Sequence, residues 1–170
     1  MHLGESGTMP GLLPELGLAG LAGDDPQAIA RQIDAAAGIG ELAASAARVD
    51  ALVALLHEGG LKIERIAALV GALNARLFAR LWSMVAPSQL AANSCLVVMG
   101  SEGRGEQLLK TDQDNALLLR DGFEWPGLEA IAAQFSAGLA QLGYPPCPGR
   151  IMLVNALWRQ PLAAFEATLG

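Results

Sequence analysis

Apolar residues recur at alternating spacings of three and four residues through the first half of the chain, which is the period of an amphipathic α-helix. The pattern predicts one long helix from residue 41 to the Gly59-Gly60 pair and a second over 62–85, which Pro87 closes. Each helix carries an apolar stripe that it cannot bury alone, so we expect an antiparallel hairpin packed on itself or on the second half of the chain. The stripes are Leu42, Ala46, Val49, Val53 and Leu56 in the first helix, and Ile63, Ile66, Val70, Leu73, Leu77, Leu81 and Met84 in the second.

The residues before this hairpin are less regular. Residues 1–24 are rich in Gly, Leu and Pro without a clean period, and we expect a poorly ordered lead-in. Asp25 then offers an N-cap and Pro26 a first helical residue, which predicts a short helix ending near Ala37.

The second half of the chain has a different pattern. Residues 95–99 and 116–119 are short, continuous apolar runs bounded by turn residues, as is typical of buried strands. The remaining segments are predicted to be a helix over 128–142, a Pro-rich loop over 143–149, a short strand or bound segment over 151–154, and a helix over 161–169.

These elements predict an α/β fold of the α+β kind, in which a helical hairpin precedes a small mixed β-sheet. The expected division is a lead-in over 1–24, a helical region over 25–87 and an α/β domain over 93–170.

Composition narrows the possible functions. Of the 170 residues, 52% are hydrophobic and 16% charged, which is too apolar for a disordered chain. The chain carries 11 basic and 17 acidic residues and a net charge of −6, which argues against a broad nucleic-acid footprint. Backbone N–H groups and one or two cations could still bind a small phosphate ligand.

The cellular setting is predicted from features that the chain lacks. It shows no basic segment followed by an apolar core, as a secretory signal would, and no apolar run of about 18 residues. Cys95 and Cys147 do not form a disulfide framework, and Cys95 is expected to be a small buried thiol. We therefore expect a soluble, reduced, cytoplasmic protein without a membrane partner.

The chemistry is concentrated between the two predicted strands. Gly100 and Ser101 lie where the first strand ends, and glycine lets backbone N–H groups approach a phosphate closely. Asp112 and Asp114 stand two residues apart at the head of the second strand, so both side chains should point to one face. Two adjacent carboxylates repel each other unless a cation neutralises them, and Mg²⁺ prefers such ligands together with substrate phosphates.

The order Gly100-Ser101, Gly103-Arg104-Gly105-Glu106 and Thr111-Asp112-Gln113-Asp114 resembles the signature of the polymerase-beta-type nucleotidyltransferase superfamily. More narrowly, residues 45–165 resemble the DUF294 nucleotidyltransferase group, which is related to the N-terminal domain of bacterial PII-protein uridylyltransferase. The preceding helical hairpin and the run after Asp114 fit that group. So do downstream residues in the group's order: Gly143-Tyr144, Cys147-Pro148-Gly149, Met152, Asn155 and Trp158-Arg159.

The resemblance implies roles for particular residues. Gly100 and Ser101 would bind the terminal phosphates of a nucleoside triphosphate, with Arg104 near those phosphates or paired with Glu106. Asp112 and Asp114 would be catalytic and would bind Mg²⁺, in a site that could take two metal ions.

The implied reaction is attack of an acceptor hydroxyl on the α-phosphorus, with pyrophosphate leaving. The related PII enzyme modifies a tyrosine of a signalling protein, so the resemblance makes a protein acceptor an expected partner.

Two departures from the group's pattern matter. Arg150 follows Cys147-Pro148-Gly149 where the group often has another glycine. The superfamily also takes a third carboxylate from a later strand, and Asp121 cannot supply it, because seven strand residues of about 3.3 Å place it roughly 23 Å from Asp114. We therefore expect a domain that is truncated at its C-terminus and belongs to a longer protein.

Other interpretations stay open. One is a regulatory module that binds a nucleotide without turnover, and another is a helical interaction element that docks or forms a homodimer. Triad hydrolysis is disfavoured because neither His2 nor His57 lies near the motif. Lys110 is expected to be simply exposed.

Overall fold

The computed structural model describes residues 25–99, 110 and 112–169. Its first layer contains helices α1 (Pro26–Ala35), α2 (Ile39–Glu58) and α3 (Ile63–Val85). The predicted N-cap of α1 is confirmed, since an Asp25 carboxylate oxygen accepts the backbone N–H of Gln27 at 3.2 Å. The predicted lead-in over 1–24 lies outside the described residues.

The predicted hairpin is confirmed, because α2 and α3 are separated only by residues 59–62 and pack against each other. Helix α1 covers both of them, so their apolar stripes are buried within this chain. Met84 is only partly buried, and Ile63 is 50% exposed, so the assignment of Ile63 to the buried stripe is wrong. It is the first residue of α3, just after the turn, where few neighbours can cover it.

A short helix α4 (Ser88–Ala92) leads into a three-stranded mixed sheet of β1 (Ser94–Val98), β2 (Asn115–Leu119) and β3 (Arg159–Pro161). The order is β1-β2-β3, with β1 antiparallel and β3 parallel to β2. This architecture confirms the predicted fold class.

Strand β1 differs from its expected burial. Within it only Leu96 is buried, and Cys95 is partly exposed rather than a buried thiol. The reason is that β1 lies at an edge of the described sheet, so its apolar run is covered less than that of β2. Both cysteines are free thiols.

The segment after β2 returns to the helical layer. Helix α5 (Leu128–Gln141) packs on α3 and α2, with the rings of Phe135 and Trp82 5.5 Å apart in a T-shaped contact. The helices approach closely at Gly138, where an added Cβ would stand 2.7 Å from a methyl group of Leu81. Helix α6 (Leu162–Leu169) ends the described chain.

Residues 151–154 were predicted to be either a short strand or a bound segment. They form no strand, so the second alternative is the one observed. A 3₁₀ turn (Ala156–Trp158) comes after them and leads directly into β3. The sequence pattern did not predict β3, because a three-residue strand that ends in Pro161 has no apolar period.

One cluster of buried apolar side chains extends from Ile29 in α1 to Leu153, and therefore joins the helices to the sheet. Among the described residues, no helix combines the length and the apolar character needed to cross a bilayer.

Candidate metal centre

Residues 112–114 approach β2 with their side chains on alternating sides. Gln113 is buried, and its amide nitrogen donates to the carbonyl oxygens of Ser136 at 3.1 Å and Tyr144 at 2.9 Å. The Ser136 hydroxyl donates back to the Gln113 amide oxygen at 2.7 Å. Because successive side chains of an extended segment point in opposite directions, anchoring Gln113 inside leaves Asp112 and Asp114 together on the other face.

A thiol completes this cluster. One carboxylate oxygen of Asp112, one of Asp114 and the sulfur of Cys147 all lie within 4.8 Å of one another. The two carboxylates are partly exposed, whereas Cys147 is buried at 7% exposure. The described residues thus bring three potential metal ligands to one point.

The loop that carries Cys147 is bonded to the aspartate segment on both sides. Before the cysteine, the backbone N–H of Gln113 donates to the carbonyl oxygen of Pro145 at 2.9 Å. After it, the backbone N–H of Asn115 donates to the carbonyl oxygen of Ile151 at 3.0 Å, and the Asn115 side-chain oxygen accepts the N–H of Leu153 at 3.0 Å. These bonds position the sulfur beside the carboxylates.

The surroundings raise the pKa of the Cys147 thiol above its ordinary value. Burial is the largest cause, and hydrogen bonding to the carboxylates of Asp114 and Asp112 acts in the same direction. Backbone hydrogen bonds at Ile151 and Gly149 oppose the shift. The thiol is therefore protonated at neutral pH in this arrangement and can donate to a carboxylate.

The surroundings of one carboxylate oxygen indicate whether a cation can bind at this cluster. Oδ1 of Asp114 is buried and has no hydrogen-bond partner among the described residues. Leaving such an acceptor unsatisfied costs about 1–3 kcal/mol or more. Asp112, Asp114, Gln113 and Tyr144 also help to line a small cavity of about 10 Å³, which is close to the room that one water or ion needs. The donor set and the orphaned oxygen together fit a bound divalent cation.

Lys110 is not the exposed cation that the sequence predicts. Its side chain is only 12% exposed, and Nζ lies 2.6 Å from a carboxylate oxygen of Asp50 and 3.1 Å from the carbonyl oxygen of Ala46. Nζ also stands 5.8 Å from the centre of the Tyr144 ring. The prediction was wrong because Asp50 comes from α2, sixty residues earlier in the chain.

Gly100, Ser101, Arg104 and Glu106 lie outside the described residues, so their phosphate-binding roles stay predictions. Asp121, which the sequence excluded as a third ligand, caps α6: its side-chain oxygen accepts the N–H of Ala163 at 3.0 Å.

Cys147 was not predicted as part of the site. Cys147 and Asp114 are far apart in sequence, so the spacing of residues could not predict that they lie together. The signal that could have indicated it is the Cys147-Pro148-Gly149 turn, which is one of the features shared with the DUF294 group.

A comparison with protein families bears on what this cluster does. The family model described as "Putative nucleotidyltransferase DUF294" matches residues 47–170, which include most of α2, the sheet and the metal-ligand cluster. The chain belongs to the DUF294 family. Membership supports a nucleotidyltransferase-like function, a class of reaction that uses nucleoside triphosphates and divalent cations. No curated protein and no solved structure matches the chain.

Proposed function

We propose that this member of the DUF294 family is an Mg²⁺-dependent nucleotidyltransferase, which transfers a nucleoside monophosphate from a nucleoside triphosphate to an acceptor hydroxyl. The observation that carries the proposal is the pairing of Asp112 and Asp114 on one face, with a buried Asp114 oxygen that lacks a partner among the described residues. Two carboxylates in this arrangement suit a divalent cation, and the family membership supports nucleotide transfer as the reaction.

Each group of residues would have its own part in the reaction. Asp112 and Asp114 would hold one or two Mg²⁺ ions, and the bound metal would supply charge stabilisation for displacement at the α-phosphorus. Gln113 and Asn115 hold the two carboxylates in register through their bonds to the loop around Cys147. Gly100, Ser101 and Arg104 bind the terminal phosphates and stabilise the leaving pyrophosphate.

We further propose a protein acceptor, by analogy with the PII-protein uridylyltransferase that the motif resembles, and action in the cytoplasm. The excess of acidic residues favours a protein hydroxyl over a nucleic-acid end, because nucleic acids are bound by clustered cations. Homodimerisation through the helical region and the division at residues 87–93 also stay proposals.

The test is calorimetric titration of Mg²⁺-ATP and Mg²⁺-UTP into the wild type, Asp112→Asn and Asp114→Asn. The matched control is Asp121→Asn, which makes the same change at a carboxylate that caps α6 outside the cluster. We expect saturable, Mg²⁺-dependent binding in the wild type and Asp121→Asn, and none in the other two. Equal binding by all four proteins would place the nucleotide elsewhere and contradict the proposal.

A specific observation also favours the non-catalytic alternative. Within the described part of the chain, the third potential ligand is a thiol rather than a carboxylate. Incubation with α-radiolabelled nucleotides and a cell extract that supplies protein hydroxyls separates the two functions: label joined to protein with release of pyrophosphate indicates transfer, whereas nucleotide binding without either indicates a regulatory module.

A further inference from the structure

Cys147, the third potential ligand, indicates which metal ion this site prefers. Cys147 differs from the carboxylates beside it, because sulfur is a soft ligand and Mg²⁺ is a hard cation that takes oxygen. Thiolate ligands instead favour ions such as Zn²⁺. We propose that Asp112, Asp114 and Cys147 form a three-ligand site for a thiophilic divalent cation of the Zn²⁺ type, and that this ion competes with Mg²⁺ for the two carboxylates.

The geometry supports one ion rather than a chance proximity. In a tetrahedral Zn²⁺ site with distances of about 2.1 Å to oxygen and 2.3 Å to sulfur, two ligand atoms stand roughly 3.5 Å apart. The three atoms here lie within 4.8 Å of one another, so side-chain movements of about 1 Å bring all of them onto one ion. Three protein ligands also leave a fourth position open, as in catalytic zinc sites.

The position of the sulfur is specified by the fold. Hydrogen bonds from Gln113 to Pro145 and from Asn115 to Ile151 hold the loop on both sides of Cys147. Within the loop, the backbone N–H of Arg150 donates to the carbonyl oxygen of Cys147 at 2.9 Å and closes a turn. A cysteine held in this way loses little conformational freedom when it binds a metal ion.

The buried oxygen of Asp114 is a second observation that points to a cation. Oδ1 of Asp114 has no hydrogen-bond partner among the described residues, although it is inaccessible to bulk water. A cation would satisfy it. On binding, the thiol loses its proton to the buffer and a metal–sulfur bond replaces the S–H bond, so charge and atoms balance without a redox partner.

This inference deepens the proposed function and rests on it, because the two carboxylates serve both. The inference implies that the site is regulated by a metal ion, because a Zn²⁺-type ion bound to Cys147 would occupy the carboxylates that Mg²⁺ needs. Nucleotide transfer should then fall as such an ion is added and recover with a chelator.

The experiment uses Cd²⁺, a thiophilic probe whose bond to sulfur absorbs in the ultraviolet. The proteins are the wild type, Cys147→Ser and Cys95→Ser, the last being the same substitution at the thiol outside the cluster. We expect saturable absorbance at one equivalent of Cd²⁺ in the wild type and Cys95→Ser, and none in Cys147→Ser. The affinity of Cys147→Ser for Cd²⁺ should fall by more than about 100-fold, since even an outer-shell loss costs roughly 10–100-fold.

A further variant keeps the test decisive if Cys147→Ser unfolds. Asp112→Asn retains the thiol and removes one carboxylate, so it should lower Cd²⁺ affinity while the sulfur band persists at saturation. The inference would be overturned if the wild type showed no absorbance from a Cd²⁺–sulfur bond, or if that absorbance remained in Cys147→Ser.

The two proposals fail separately. Mg²⁺-nucleotide binding without a Cd²⁺–sulfur band refutes the thiophilic site and leaves the proposed function standing. A Cys147-dependent Cd²⁺–sulfur band without nucleotide binding refutes the proposed function and leaves the thiophilic site standing.

Discussion

The side-chain amide of Gln113 donates to the carbonyl oxygen of Tyr144 across 2.9 Å, and this bond joins the aspartate segment to the start of the loop that carries Cys147. Gln113 thereby acts as a positioning residue: it supplies none of the proposed ligand atoms, yet it determines which way its two neighbours point. The most informative variants are those that loosen such connections one at a time.

Replacing Gln113 by leucine should destabilise the protein by about 2 kcal/mol, because the carbonyl of Tyr144 and the hydroxyl of Ser136 lose their buried partner. Urea unfolding measures the change. Gln134→Leu, the same substitution at an exposed position of α5, should stay within about 0.5 kcal/mol of the wild type. Equal effects of the two substitutions would show that the amide bonds of Gln113 contribute nothing.

Asn115→Ala should weaken the attachment of the loop after Cys147, because Leu153 loses the side-chain oxygen that accepts its buried N–H. We expect a loss of about 1–3 kcal/mol in unfolding free energy and a fall of roughly tenfold in Cd²⁺ affinity. The metal readout distinguishes positioning from stability alone, and unchanged Cd²⁺ affinity in the folded variant would contradict it.

The Lys110–Asp50 pair should couple more strongly than the Arg76–Asp34 pair on the helical surface. The Lys110 side chain is 12% exposed against 31% for Arg76, and the two aspartates are similarly exposed, at 52% and 54%. Double-mutant cycles should give about 1 kcal/mol for the first pair and less than about 0.5 kcal/mol for the second at low salt. A coupling of Lys110 no larger than that of Arg76 would mean that its burial adds nothing.

Arg150→Gly should stabilise the protein by up to about 1 kcal/mol, because Arg150 has a φ of +57°, a left-handed conformation that glycine adopts without the steric penalty of a side chain. Arg150→Ala is the control, because it removes the same side chain and keeps the Cβ that causes the strain. Thermal unfolding should therefore rank glycine above alanine, and the reverse order would show that the turn is unstrained.

The local elements can be derived from the sequence alone. The three-and-four spacing from Leu42 to Leu81 was enough to predict α2 and α3, and most positions that it assigned to the apolar stripes are buried, because the period of an amphipathic helix reflects which face is covered. The two-residue spacing of Asp112 and Asp114 likewise predicted a shared face. The family was also evident from the motif, which is a property of contiguous residues.

Only the tertiary structure decided the rest. Strand β3, the contact of Lys110 with Asp50 and the place of Cys147 beside Asp114 all join segments that are distant in sequence. No local period encodes such contacts, because they form between segments that meet only in the folded chain. The sequence by itself determined the helices and the carboxylate pair, whereas the fold supplied the sulfur that sets the proposed choice of metal.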